Sequence, residues 1–352
     1  MPELRKDWLT GRSVIIAENR ALRPNEFEVP TAPSPDFEEG LAASIGEQSI
    51  ANLALAEVGL TEAPGVPACP FCPGNELGTP PAVYAPTNEL GQWQLRVVPN
   101  KFPALSLDRD CAQPGAEPAL GAHEVIVESR RHVDRVSAIS VYEFRRVLES
   151  YAARLRHWRD HDNLAYGLIF KNQGPRAGAS LAHLHSQLIA MPDIPPLVEA
   201  ELQRAKDAYE QNKACPYCRL IADERTSAAR IVLDRDGYVA FCPYASLQPH
   251  EVWLMPAVHS ASFEQLSSGD SLDALADVLH LLITRLEQVI PAASYNMLLR
   301  TGPWRLVECT EWFHWRIELL PRTTSIAGLE IATGVFINPL APEHAAPLLR
   351  PR

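Results

Sequence analysis

The tetrapeptide Cys69-Pro70-Phe71-Cys72 returns in the second half of the chain as Cys215-Pro216-Tyr217-Cys218. Each copy is followed by the same order of histidines. His123-Glu124-Val125 lies nine residues before His132, and His250-Glu251-Val252 lies nine residues before His259. A helix-like stretch and then an apolar run with a further histidine follow in both cases. That run reads His183-Leu184-His185-Ser186-Gln187 in the first copy and His314-Trp315-Arg316-Ile317-Glu318 in the second. Two such matches in one order predict a duplicated chain, with units at 1–190 and 191–352. Superposing His183 on His314 sets Arg316 where His185 stands and Glu318 where Gln187 stands. The second copy keeps one histidine and loses the other.

Seven cysteines in 352 residues are few and odd in number, and four of them fall in the two pairs. That usage disfavours a secreted disulfide framework and favours metal binding in a reducing compartment. Zinc takes about four ligands in a tetrahedron, usually cysteine and histidine. One Cys₂His₂ set is therefore expected from Cys69, Cys72, His132 and His183, and a second from Cys215, Cys218, His259 and His314. The gaps are too long for compact zinc fingers, so each ion would staple distant loops to a sheet. Other readings stay open: a redox Cys-x-x-Cys, a pair of metal-free thiols packed as small hydrophobes, or His123 and His250 as ligands in place of His132 and His259. Cys111, Cys242 and Cys309 have no spaced partner and read as packing residues.

Acidic residues outnumber basic ones by 43 to 32, a net charge of −11, which disfavours tracking a phosphate backbone. No apolar run approaches the roughly 18 residues of a membrane span, and the N-terminus lacks a signal-peptide core. The chain reads as cytoplasmic, with neither nucleic acid nor membrane as partner. Strands are expected at 13–17, 93–98, 123–127, 166–170, 238–241, 250–254, 295–299 and 314–320. Helical periodicity covers 141–158, 271–290 and, more weakly, 197–211. The Pro-rich stretches 23–40 and 62–88, and the Pro/Ala/Gly-rich 108–121, read as loops. No Gly-x-Gly-x-x-Gly or Walker loop is present.

On a strand, His183, His185 and Gln187 project from one face. If His183 meets the metal, His185 can meet a neighbouring pocket. Upstream, residues 170–180 form a loop of small and hydrogen-bonding residues suited to a phosphate. A neutral imidazole is a competent phosphoryl nucleophile near pH 7. The bland alternative makes His185 one more structural histidine.

Gly178-Ala179-Ser180-x-x-His183-x-His185-x-Gln187 resembles the active-site motif of galactose-1-phosphate uridylyltransferases, a branch of the histidine-triad superfamily. The resemblance extends over nearly the whole chain. It includes Asp7-Trp8-Leu9-Thr10-Gly11, Asn19-Arg20 and Arg23-Pro24 at the start, the Cys69–Cys72 turn, Pro99-Asn100-Lys101-Phe102-Pro103-Ala104-Leu105 and Phe170-x-Asn172-x-Gly174. The stretch from Glu330 to Pro339 is most similar to a divergent plant-type branch, some members of which are sugar-nucleotide phosphorylases.

The resemblance implies an α+β fold: a duplicated, mainly antiparallel half-barrel sheet with helices outside, assembled as a homodimer. It implies two structural zinc ions per chain. His185 would be the nucleophile, with His183 a zinc ligand whose carbonyl orients it. Gln187 would bond the transferred phosphoryl group and Ser180 the distal phosphate. Asn100, Asn172, Gly174, Arg20 and Arg23 would lie at the nucleotide, and Glu330 at the sugar. The leading expectation is ping-pong uridylyl transfer from UDP-glucose to a hexose 1-phosphate such as galactose 1-phosphate. The runner-up is phosphorolysis of ADP-glucose or another sugar nucleotide through the same histidine. A histidine-triad hydrolase and a zinc-stapled binding module are more distant. The second cysteine set departs from typical bacterial members, which carry a glutamate among those ligands, and a sugar-contacting glutamine has no counterpart near 336–338. Loss of the nucleophile at Arg316 implies one active site per chain.

Overall fold

A computed structural model of the chain describes residues 2–18, 20, 69–108, 117–266 and 269–351. The loop expected at 23–40, with Arg23, lies outside the described residues, as do Asn19 and Cys111.

Twelve strands and six α-helices are found among the described residues. In chain order they are β1 (Glu3–Lys6), β2 (Ser13–Ile16), β3 (Arg96–Pro99), β4 (Ala122–Val127), α1 (Val141–Arg159), β5 (Tyr166–Gln173) and β6 (His185–Met191). Then come α2 (Pro196–Asn212), α3 (Pro216–Ser227), β7 (Ile231–Arg235), β8 (Tyr238–Phe241), β9 (Val252–Pro256), α4 (Asp270–Val289), β10 (Tyr295–Arg300) and β11 (Arg316–Pro321). The chain closes with α5 (Gly328–Thr333), β12 (Val335–Asn338) and α6 (Pro342–Leu349). Nine strands form one sheet in the order β3-β4-β6-β5-β10-β11-β9-β8-β7, with every neighbouring pair antiparallel. The fold is α+β, as expected. β1 and β2 stand apart in a three-stranded sheet, where β2 pairs in parallel with β12.

Helix α1 starts where Ser140 and Glu143 form a reciprocal capping box, each side chain accepting the other's backbone N–H. Its apolar stripe, Phe144, Val147, Leu148, Tyr151 and Leu155, packs with Leu275, Leu279, Leu282 and Leu286 of α4 against the back of the sheet. The front face is covered differently along its length. Beside β9 and β8, helices α2 and α3 bury Leu202, Tyr217 and Ile221 against Trp253 and Phe241. Beside β4, the cover is Phe71, from the first cysteine turn, against Val125 and Val127.

Two local expectations need correction. The strands that follow His183 and His314 begin at His185 and Arg316, so each first histidine sits ahead of its strand. In the first copy the backbone there is committed elsewhere: Leu184 donates its N–H to Val133 O and accepts the N–H of Glu128. The two cysteine tetrapeptides are also unalike, because Cys215 caps α3 with Pro216 in its first turn, whereas residues 70–74 form turns and a bend.

Candidate active site and metal centres

The two expected Cys₂His₂ sets are both assembled. In each, the four donor atoms lie within 4.8 Å of one another, so each set is able to hold a metal ion. Cys72 Sγ is 3.3 Å from His132 Nδ1 and 3.6 Å from His183 Nδ1, and Cys69 Sγ is 3.6 Å from His183 Nδ1. In the second set Cys218 Sγ is 3.4 Å from His259 Nδ1 and 3.9 Å from His314 Nδ1. Zinc bonds of about 2.0–2.3 Å in a tetrahedron put neighbouring donors about 3.6 Å apart. The ring orientations fit as well. His183 Nε2 donates to Ser129 O (2.8 Å), His314 Nε2 to Pro256 O (2.9 Å) and His259 Nε2 to Thr310 O (2.7 Å), which leaves each Nδ1 lone pair for an ion. Burial lowers the His183 pKa to about 4, keeping the ring in its neutral, ligating form. Burial and the neighbouring Cys69 raise Cys72, while hydrogen bonds from Cys215 and His314 lower Cys218. A divalent cation would relieve this crowding of two sulfurs.

His123 and His250 stand outside these sets. His123 faces Gln187 and the loop at Asn100. Among the described residues His250 Nδ1 is buried without a partner, and the residue holds a left-handed backbone at φ 62°. Cys242 and Cys309 are buried in the two main cores.

One step along the chain from the first metal set lies His185, 9% exposed. Its Nδ1–H donates to His183 O at 2.8 Å. The imidazole is thereby fixed with its Nε2 lone pair free, and the ring of Phe71 lies 5.3 Å away. Burial holds the ring below the ordinary imidazole range, with the Lys171 cation adding to the effect. Behind the strand, Lys171 Nζ donates to His185 O (2.9 Å) and Glu128 Oε2 (2.8 Å), and Tyr151 OH bridges Glu128 and Ser186. Lys171 and Glu128 are fully buried, so the backbone of His185 rests on a desolvated ion pair.

Strand register places the remaining polar groups. Gln187 pairs with Val125 on one side and Phe170 on the other, and Asn172 pairs with Asn296 of β10. His185, Gln187 and Asn172 therefore share the front face. Asn296 Nδ2 donates to Asn172 Oδ1 (2.9 Å) and Ala177 O (3.0 Å). Gly174 and Gly178 take left-handed φ values of 76° and 88°, and a Cβ at Gly174 would meet Ser294 Oγ at 2.4 Å. Only glycine permits this turn. Ser180 is exposed. Asn100 Oδ1 accepts the N–H of Phe102 at 2.9 Å.

Arg20 is exposed just after β2, and Glu330 caps its own helix α5 by accepting the N–H of Ala327 at 3.0 Å. The turn at Asp7–Gly11 docks on α2, where Arg204 donates to Leu9 O and Thr10 O. Sequence reasoning missed Asn296, Lys171 and Glu128. Only Asn296 left a signal, a polar residue inside an otherwise apolar strand.

Comparison with known proteins identifies the family. A family described as a domain of unknown function (DUF4921) matches residues 94–349. The chain is 31% identical to ADP-glucose phosphorylase of Arabidopsis thaliana, over 99% of this chain and 92% of that protein. It is 26% identical to galactose-1-phosphate uridylyltransferase of Thermotoga maritima, over 82% and 90%. The crystal structure of the Arabidopsis ADP-glucose phosphorylase with bound ADP-glucose superposes with a TM-score of 0.81 at 30% identity, covering 100% of this chain and 99% of that one. The chain belongs to the galactose-1-phosphate uridylyltransferase-like family of the histidine-triad superfamily, and is an enzyme of the nucleotidyltransferase class.

Proposed function

We propose that the protein moves a nucleotidyl group from a sugar nucleotide to an acceptor phosphate through His185. The observation that carries this is the hydrogen bond from His185 Nδ1 to His183 O, which leaves Nε2 as a lone-pair donor beside Gln187. In the first half-reaction Nε2 attacks the α-phosphorus, the bond to the bridging oxygen breaks, and sugar 1-phosphate leaves. In the second, a phosphate oxygen of the acceptor attacks the same phosphorus and frees His185. Gln187 and Ser180 stabilise charge on the phosphoryl oxygens. Asn100, Asn172 and the Gly174 turn hold the nucleotide.

The full-length likeness to ADP-glucose phosphorylase supports ADP-glucose as donor and inorganic phosphate as acceptor, giving ADP and glucose 1-phosphate. The Thermotoga relative supports a second reading, UDP-glucose with galactose 1-phosphate. Zinc at Cys69, Cys72, His132 and His183, and at Cys215, Cys218, His259 and His314, would hold the turns in place and take no part in the transfer.

The chain is read as two histidine-triad-like units, 1–190 and 191–352, with one active site. Arg20 and Glu330 lie by the three-stranded sheet, which shares no strand with the sheet of His185. They are assigned to substrate held by a second copy in a homodimer.

Intact-mass spectrometry after incubation with ADP-glucose or UDP-glucose tests the reading. An AMP or UMP adduct on wild type, absent from His185→Ala, is expected. Phosphate or galactose 1-phosphate should then clear it. A wild type that takes no adduct from any sugar nucleotide refutes nucleotidyl transfer.

A further inference from the structure

We propose that His123 is a positioning residue that sets which end of the Gln187 amide meets the transferred phosphoryl group. This rests on the nucleotidyl-transfer reading above. His123, the second residue of β4, lies opposite Ile189, and Val125 lies opposite Gln187, so His123 and Gln187 are diagonal neighbours on the front face.

The proton on the His123 ring can be placed from its contacts. The backbone N–H of Ala104 donates to Nδ1 at 3.0 Å. A backbone N–H cannot exchange donor for acceptor, so Nδ1 carries the lone pair and a neutral ring has its proton on Nε2. Gln187 Oε1 lies 2.8 Å from that Nε2 and accepts its hydrogen bond. The oxygen end of the amide is thus engaged by protein, and the NH₂ end is left for the ligand. Without this donor the two amide orientations are almost equal in shape. The wrong one turns a carbonyl dipole toward phosphoryl oxygens.

The same residue ties down the loop that follows β3. Asn100 donates its backbone N–H to His123 O at 2.8 Å. Asn100 Nδ2 lies 3.1 Å from His123 Nε2, and Asn100 Oδ1 is already engaged by Phe102. With Nε2–H directed to Gln187, the Asn100 amide protons stay available to a ligand. His123 therefore orients the Gln187 amide through its ring and holds the Asn100 backbone through its own carbonyl.

The test uses full-length His123→Ala, His123→Gln, Gln187→Ala and the His123→Ala/Gln187→Ala double variant, each checked for melting temperature. Single-turnover adduct formation with ADP-glucose and with UDP-glucose is followed by quench and intact mass. His123→Ala is expected to slow adduct formation about 10- to 100-fold, with KM changed less than about threefold. The double variant should be no slower than Gln187→Ala alone. His123→Gln, whose Nε2 can still donate, should recover most of the rate. Multiplicative losses in the double variant, or a wild-type rate in His123→Ala, overturn the proposal. A second readout needs no turnover: the Gln187 carboxamide signals of glutamine-¹⁵N-labelled protein should move in His123→Ala and be restored in His123→Gln. Unmoved signals overturn the proposal. Absence of any wild-type adduct refutes the transfer reading instead, and the Gln187 signals then decide the role of His123.

Discussion

The two metal sets are close counterparts, yet the residue two positions past the last histidine meets opposite surroundings. Past His183, His185 is a buried neutral ring with a free nitrogen on the front face. Past His314, Arg316 is fully buried in a charge network that fills the corresponding space. Its guanidinium bonds Glu201 of α2 at 2.7 and 3.1 Å and Glu318 at 2.8 Å. Arg12 joins from the turn before β2, bonding Glu251 (2.6 Å) and Glu318 (2.7 Å), and Arg300 forms an ion pair with Glu318. Three arginines face three glutamates, and both Arg316 and Arg12 stack over Trp253. One frame can therefore keep a polar face as a reaction surface or convert it to a packed, charge-balanced core. Among the described residues, helix α2 carries Glu201 over the second copy beside Tyr217 of its cysteine segment, while Phe71 of the first cysteine turn packs on Val125 and Val127.

The sharpest break in this comparison is His185→Ala. It should cost about 10⁴- to 10⁶-fold in nucleotidyl transfer, measured by steady-state turnover, because Arg316 offers no second nucleophile. Next is Arg316→Met, which leaves Glu201 and Glu318 buried with less compensation. A loss of about 3–5 kcal/mol in urea unfolding is expected; an unchanged midpoint would show the network to be dispensable. Cys215→Ser should lower bound zinc from two ions to one per chain by elemental analysis, and lower the melting temperature.

The smallest effect concerns pH. Burial raises the Glu318 pKa, but Arg300, Arg12 and Arg316 more than reverse this, holding it far below the ordinary carboxylate range. A depressed folded-state pKa gives stability that is complete above the unfolded value, about 4.3, and lost as pH falls toward the folded one. The stability gap between wild type and Glu318→Gln should therefore be constant near neutrality and shrink below about pH 4. A gap that widens in acid would contradict the assigned charges.

Much of the site was legible because its signals are local. The tetrapeptides and nine-residue histidine intervals named six of the eight metal-set residues, and the aligned runs supplied His183 and His314 and located His185 and Gln187. The strand Tyr238–Phe241 followed from its β-branched and aromatic residues, and the helix expected at 141–158 from its periodicity runs Val141–Arg159. Long-range contacts carry no such trace. The Asn172–Asn296 bond spans 124 positions, and Arg12 reaches Glu318 across 306. The helix at Cys215 was hidden because Cys-Pro-x-Cys fits both a turn and a helix start, and the following polar sequence gives only weak periodicity.

The pairing of β5 with β10 also bears on how such a chain can change over time. The strand that lines the first copy's site takes its other neighbour from the second copy, along with Asn296 and the Ser294 side chain that packs on the Gly174 turn. On the proposed duplication, a second half without the nucleophile still serves as the wall beside the His185 face. On that reading duplication is a one-way step: a shortened descendant would have to rebuild that wall before it could dispense with the second half.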